Sequence, residues 1–204
     1  MQIIQEYQAL NYTPQMVKES RAANDGKIIM QCILQRADSL NQNGRIYPRH
    51  ILERETRNYQ KFILENRALG ELDHPETSVV ELKNVSHVIR EATMSEDGVV
   101  QGRLELLNTP SGKILQSLVE SGIKLGISSR GVGSTVKEGD HQVVQEDFQL
   151  ICFDIVSEPS TPNAFLVREG KELCQKDLLD LKNFYSKSDR LYRIANDIMF
   201  GCVR

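Results

Sequence analysis

Apolar positions along the chain fall into short runs of two spacings, with turn residues marking the joints between them. Residues 27–34 (KIIMQCIL) alternate loosely and are rich in Ile, as a half-buried strand requires. A loop from Asp38 to Pro48 follows, containing Asn43-Gly44. Residues 49–66 then carry Ile51, Leu52, Tyr59, Phe62 and Ile63 at helical intervals with charges between them, which predicts an amphipathic helix. Residues 79–91 and 98–107 read as strands on either side of the turn Glu96-Asp97-Gly98. Thr109-Pro110 supplies a cap and a first-position proline for a second helix, which runs through Ile114, Leu115 and Leu118 and stops at Gly122. Residues 123–136 and 142–156 are β-rich and flank Glu138-Gly139-Asp140, predicting a hairpin.

The two ends differ from this middle. Residues 1–26 are polar and close on the turn Asn24-Asp25-Gly26, so they read as a flexible lead-in outside the core. In the tail, Leu178, Leu181, Phe184, Tyr185, Leu191, Ile194 and Ile198 keep a broadly helical spacing. The predicted organisation is a lead-in (1–26), a main domain (27–170) and a helical C-terminal segment (171–204). The order of elements lacks the βαβ alternation of a parallel sheet. An α+β fold is therefore expected, with a mostly antiparallel, barrel-like sheet and helices packed outside.

Composition narrows the function classes. The 204 residues suffice for a sizeable core, and 40% hydrophobic with 26% charged residues is ordinary for a globular protein. With 25 Lys plus Arg against 28 Asp plus Glu, the net charge of -3 gives no broad field for holding DNA or an anionic membrane. Apolar runs such as Leu150–Phe153 are far too short to span a bilayer. The start, MQIIQEYQAL, has no basic region leading an apolar stretch, so cytoplasmic synthesis is the expectation. Cys32, Cys152, Cys174 and Cys202 form no C-x-x-C pair and have no His at zinc-ligand spacing, which predicts free thiols. No cofactor motif is present.

Three stretches hold chemistry-bearing residues. Gly70-Glu71-Leu72-Asp73-His74-Pro75 sits in a predicted turn, where the proline keeps His74 out of helix. It offers a general base, or alternatively a metal site built on Glu71, Asp73 and His74, although the spacing lacks the i, i+4 geometry of a helical site. A satisfied surface histidine is the plain alternative. In Gly126-Ile127-Ser128-Ser129-Arg130-Gly131-Val132-Gly133-Ser134, glycines and serines interrupt a strand. That pattern suits a nucleophile on a rigid edge with free N–H groups beside it, and equally a bulged strand with solvated serines. In Phe148–Val156 a single carboxylate, Asp154, is embedded in an apolar run, where it needs a partner unless it faces water at a strand end. Together these supply a base, a nucleophile and an orienting acid in the chain order His, Ser, Asp, which differs from the known orders on other folds.

With these residues in view, the chain resembles the prohead core proteases of large myoviruses. The matching features are N-x-N-x-R-x-Y-P at Asn41, Asn43, Arg45, Tyr47 and Pro48; A-L-G-E-L-x-H-P at Ala68–Pro75; G-x-S-S-R-G-x-G-S at Gly126–Ser134; and an Asp-bearing strand before Pro159-x-x-Pro162-x-Ala164. The resemblance implies the fold of herpesvirus assemblin, a roughly seven-stranded, mostly antiparallel β-barrel surrounded by helices. It implies a serine endopeptidase that acts inside the immature capsid, in the host bacterial cytoplasm. Its substrates would be scaffold and core proteins, the pro-segments of the major capsid protein, and itself. Self-association fits this picture; a membrane, a specific nucleic acid, a metal and a cofactor do not enter it. By the same resemblance Ser128 is the nucleophile, His74 its base and Asp154 the third member, with the N–H groups of Ser129, Arg130 and Gly131 around the oxyanion and the Arg130 charge nearby. Cleavage after Glu in Ile/Leu-x-Glu motifs makes Glu6, in Ile4-Gln5-Glu6, the self-cleavage candidate. Ile51-Leu52-Glu53 and Leu118-Val119-Glu120 match too, but lie in predicted helices and are expected to be protected. The alternative is a capsid-assembly component that keeps the fold without catalysing.

Overall fold

The computed structural model describes residues 2–10, 12–41, 43–75 and 77–157. The predicted helical segment 171–204, the Pro159–Ala164 motif, Cys174 and Cys202 lie outside the described residues. Within them the chain is an α+β fold of ten strands and three α-helices: β1 Gln2–Ala9, α1 Pro14–Ala23, β2 Ile29–Arg36, β3 Arg45–Ile46, α2 Arg49–Leu64, β4 Leu69–Glu71, β5 Val85–Met94, β6 Val99–Leu106, α3 Pro110–Glu120, β7 Gly126–Gly133, β8 Thr135–Glu138, β9 His141–Val144 and β10 Gln149–Val156. A one-turn 3-10 helix, Leu82–Asn84, leads into β5. None of the described helices is long and apolar enough to cross a membrane.

Three ladders result, in the orders β1-β7-β10, β2-β6-β5-β4 and β3-β9-β8. Every pair is antiparallel except β3–β9. The first two sheets meet at a single parallel bridge between Leu72 and Ile155. Between them lies the core, to which β2 gives Met30 and Leu34, β5 Ile89 and Ala92, β6 Val100 and Leu104, and β10 Phe153 and Ile155.

Helix α2 is amphipathic as predicted and buries Ile51, Leu52 and Tyr59. Asp38 Oδ1 accepts from the Arg49 N–H at 3.0 Å, satisfying one of the donors left over at the first turn. Tyr59 meets Phe153 edge-on at 5.3 Å, which ties α2 to the strand that carries Asp154. Helix α3 begins as expected: the Thr109 hydroxyl accepts from the Gly112 N–H at 3.0 Å, and Gly122 has left-handed φ just past the end. The predicted hairpin is two nested pairs, β8 with β9 around Gly139 and β7 with β10 outside them.

The described residues before Lys27 correct the expectation of a flexible lead-in. Gln2–Ala9 pair along the whole of β7, and Thr13-Pro14 cap α1, with the Thr13 hydroxyl accepting from the Met16 N–H at 3.2 Å. Ile4, Leu10, Tyr12 and Val17 are buried in the core. The segment is polar on average, yet these four apolar side chains fall where the core needs them.

Candidate active site

The site begins at β4, a strand of three residues inside what the sequence suggested was only a turn. Gly70 pairs with His87 on β5, and a Cβ at Gly70 would come within 2.1 Å of the Phe153 carbonyl oxygen and 2.2 Å of His87 Nε2. Only glycine lets the His87 ring pass here to Phe153 on the strand beyond. After Leu72 bridges to Ile155, the Asp73 N–H donates to the Ile155 carbonyl at 2.8 Å. Asp73 itself takes φ 66°, a left-handed conformation that Asp tolerates better than most residues. That turn delivers His74 to the end of β10.

There, the His74 Nδ1–H donates to Asp154 Oδ2 at 2.9 Å. This fixes the tautomer, leaving Nε2 as the acceptor nitrogen. Nε2 is buried and has no hydrogen-bond partner among the described residues. Asp154 is fully buried and far from the water-facing strand end that was the plain alternative. Its Oδ1 accepts from the Glu71 N–H at 3.0 Å, and the Arg130 guanidinium lies against both oxygens, with Nε 2.9 Å from Oδ2 and Nη2 3.3 Å from Oδ1. Burial alone would raise the carboxyl's pKa. The hydrogen bond from His74, the Arg130 charge and the Glu71 N–H outweigh it and hold the group below its ordinary value of 3.8.

Register decides which serine joins this cluster. Asp154 is the cross-strand partner of Ser128, and Cys152 of Arg130, so Ser128, Arg130, Cys152 and Asp154 share one face of the sheet. The contacts agree: Arg130 Nη2 is 3.1 Å from Cys152 Sγ, which is 3.3 Å from Asp154 Oδ1. Ser129 pairs instead with Phe153, on the opposite face against the core, and its buried hydroxyl has no partner among the described residues. The structure thus gathers His74, Asp154 and the strand position of Ser128 at one corner. No hydrogen bond joins His74 to Ser128 among the described residues, and only 2% of Ser128 is exposed.

The expected oxyanion region differs from the sequence reading. Strand β7 is not a free edge but the centre of its sheet, paired with β1 on one side and β10 on the other. The N–H groups of Ser129, Arg130 and Gly131 therefore face neighbouring strands. The Arg130 side chain is fully buried and committed to other partners. It forms an ion pair with Glu71 and one with Asp154, and donates to the Thr77 carbonyl at 2.7 Å. Its charge is a strut of the site, with no arm left over for an oxyanion. Gly131 serves close packing: a Cβ there would come within 2.4 Å of the Phe148 ring.

Glu71, read earlier as a metal-ligand alternative, turns away from His74. It accepts from Arg130, and its other oxygen accepts from the Glu81 N–H at 3.0 Å. His87 is the residue that the sequence did not single out. It is fully buried, its Nε2–H donates to the Phe153 carbonyl at 3.0 Å, and Nδ1 lies 2.9 Å from the Ser86 hydroxyl. Burial lowers its pKa to about 4 against the opposing pull of Asp154 and the Phe153 carbonyl, so the ring is neutral at pH 7. Its one sequence signal was the glycine opposite, visible only once β4 and β5 are paired. The N-x-N-x-R-x-Y-P motif is structural: Asn41 Oδ1 accepts from the Arg45 N–H at 2.7 Å, and Tyr47 stands edge-on to Phe148 at 5.5 Å, beneath Gly131.

Comparison with known proteins gives the class. The model of the prohead core protein serine protease family matches residues 8–176, and the chain belongs to that family. It is a protease of phage capsid maturation. Among its relatives, the prohead core protein protease of Enterobacteria phage T4 is 30% identical over 156 residues, covering 71% of this chain and 73% of that one. The solved structure of the bacteriophage T4 capsid assembly protease matches the fold with a TM-score of 0.66 at 24% identity, over 78% of this chain and 98% of that one.

Proposed function

We propose that the chain is a serine endopeptidase that cuts scaffold, core and capsid pro-segments inside the prohead, and then itself. The observation that carries this reading is His74, held through Nδ1 by a buried Asp154 that stands in register with Ser128. His74 Nε2 takes the proton as Ser128 Oγ attacks the scissile carbonyl carbon. The proton then passes to the leaving nitrogen as the C–N bond breaks, and water resolves the acyl-enzyme. Asp154 keeps the ring in the useful tautomer and stabilises the imidazolium that forms. Ser128 is preferred over Ser129 because the latter faces the core.

Cleavage follows Glu in Ile/Leu-x-Glu sequences, Glu6 being the site on the chain itself. The helical placement of Ile51-Leu52-Glu53 in α2 and of Leu118-Val119-Glu120 in α3 supports the protection of those matches. The same reading takes β1, β2, β4, β5, β6, β7 and β10 as the strands of the expected barrel, supported by the Leu72–Ile155 bridge and by the packing of β1 on β2.

A serine-directed covalent probe, mapped by mass spectrometry, is expected to label Ser128. Ser128→Ala is expected to lower cleavage about 10⁴-fold. Labelling at Ser129, or undiminished cleavage by the Ser128→Ala chain, would overturn the assignment.

A further inference from the structure

We infer that β1 is a resident substrate strand: Gln2–Ala9 lies on the edge of β7 where a peptide substrate adds, with the Glu6–Tyr7 bond set against Ser128. The inference rests on the serine-peptidase reading above and adds how that site takes peptide and what closes it.

Register carries the case. All eight residues of β1 pair antiparallel with Gly126–Gly133, placing Glu6 opposite Ser129 and Tyr7 opposite Ser128. Adjacent strands lie about 4.8 Å apart, so the Glu6–Tyr7 peptide is the part of β1 nearest the serine. The other side of β7 is closed along the same length by β10, which bears Asp154 and cannot leave without dismantling the site. Opening the β1 edge is therefore the way for an extended peptide to gain main-chain hydrogen bonds beside Ser128. The near-complete burial of Ser128 agrees with a site already filled.

Side-chain chemistry agrees as well. Ile4, two residues before Glu6, is fully buried opposite Gly131, the strand position without a side chain. An apolar residue seated there, with the cut two residues later, reproduces the Ile/Leu-x-Glu pattern as a geometry. In cis cleavage, Ser128 Oγ adds to the Glu6 carbonyl carbon and its proton moves through His74 to the Tyr7 nitrogen. The Glu6–Tyr7 bond breaks, and water then releases the Glu6 carboxylate. Residues ahead of the cut depart and the edge opens for substrates in trans.

The full chain in two forms tests this: wild type allowed to process itself, and Glu6→Gln, assayed on a fluorogenic peptide copying residues 2–9. Processed wild type is expected to begin at Tyr7. The Glu6→Gln chain is expected to keep its N-terminus, cleave the peptide at least tenfold more slowly, and show at least tenfold slower amide exchange across residues 126–133. Adding the same peptide with Gln in place of Glu6 to processed enzyme is expected to restore slow exchange there and to inhibit. Equal peptide cleavage by both forms, with Ser128 labelled in both, would overturn the inference and leave the peptidase standing. Absence of labelling and cleavage in both would remove the peptidase reading and the inference with it.

Discussion

Arg130 is the residue on which the geometry of the site turns. A guanidinium with no exposed surface is tolerable because two carboxylates, Glu71 and Asp154, and the Thr77 carbonyl surround it. Removing one partner of such a cluster strands the others in a medium that solvates charge poorly. Arg130→Met is thus expected to cost about 3–5 kcal/mol of folding stability, read as a lowered urea midpoint, although it removes no reacting group. His87 gives a pH signature of its own. Its folded pKa, about 4, lies below its ordinary 6.5, so unfolded chains bind a proton that folded ones refuse. Stability from this group is complete above pH 6.5 and falls by roughly 3 kcal/mol as pH drops to 4. Asp154 acts in the next window: with its folded pKa depressed, its contribution holds above the ordinary 3.8 and is lost as pH falls below it. Urea midpoints measured against pH are expected to decline in these two stages, and a His87→Gln chain to lack the first.

At the scale of elements, short strands placed by close backbone approach set the site. A methyl group at Gly70 would strike both the Phe153 carbonyl and His87, so Gly70→Ala is expected to shift β4 away from β10 and unseat His74 from Asp154. The expected result is a loss of peptidase activity with a stability cost of about 1–3 kcal/mol, measured together by cleavage assay and thermal melt. Strand β4 was illegible in the sequence because three residues show no alternation, and their partners lie on β5 and β10. Helices α2 and α3 were legible, since a 3.6-residue period and a cap are local facts. Thr13-Pro14 repeats the signal of Thr109-Pro110 and opens α1 in the same way, so that helix could have been read by the same rule.

For the whole molecule, the consequence of the fold is that the strand carrying Ser128 sits in the middle of a sheet. The sequence reading wanted an open edge at Ser128, and the glycines of that stretch suggested one. In three dimensions Gly131 makes room for Phe148, while β1 covers the edge. Removing Phe148, which packs under Gly131 and against Tyr47, is expected to loosen both features. Phe148→Ala should cost about 3–5 kcal/mol in a urea titration.

The sequence by itself determined helices α2 and α3, most strands, the α+β class and the residues able to do chemistry, because periodicity, caps and residue type are properties of neighbours along the chain. It could nominate Ser128, His74 and Asp154 but not align them. Tertiary structure decided that Asp154 pairs with Ser128 and holds His74, that Ser129 faces the core, that Arg130 is a strut, and that residues 2–9 cover the strand carrying Ser128. Each of these depends on strand register between distant segments, the farthest pairing being Gln2 with Gly133. A shift of one residue would turn every side chain to the other face, and only the packed core settles which register is kept.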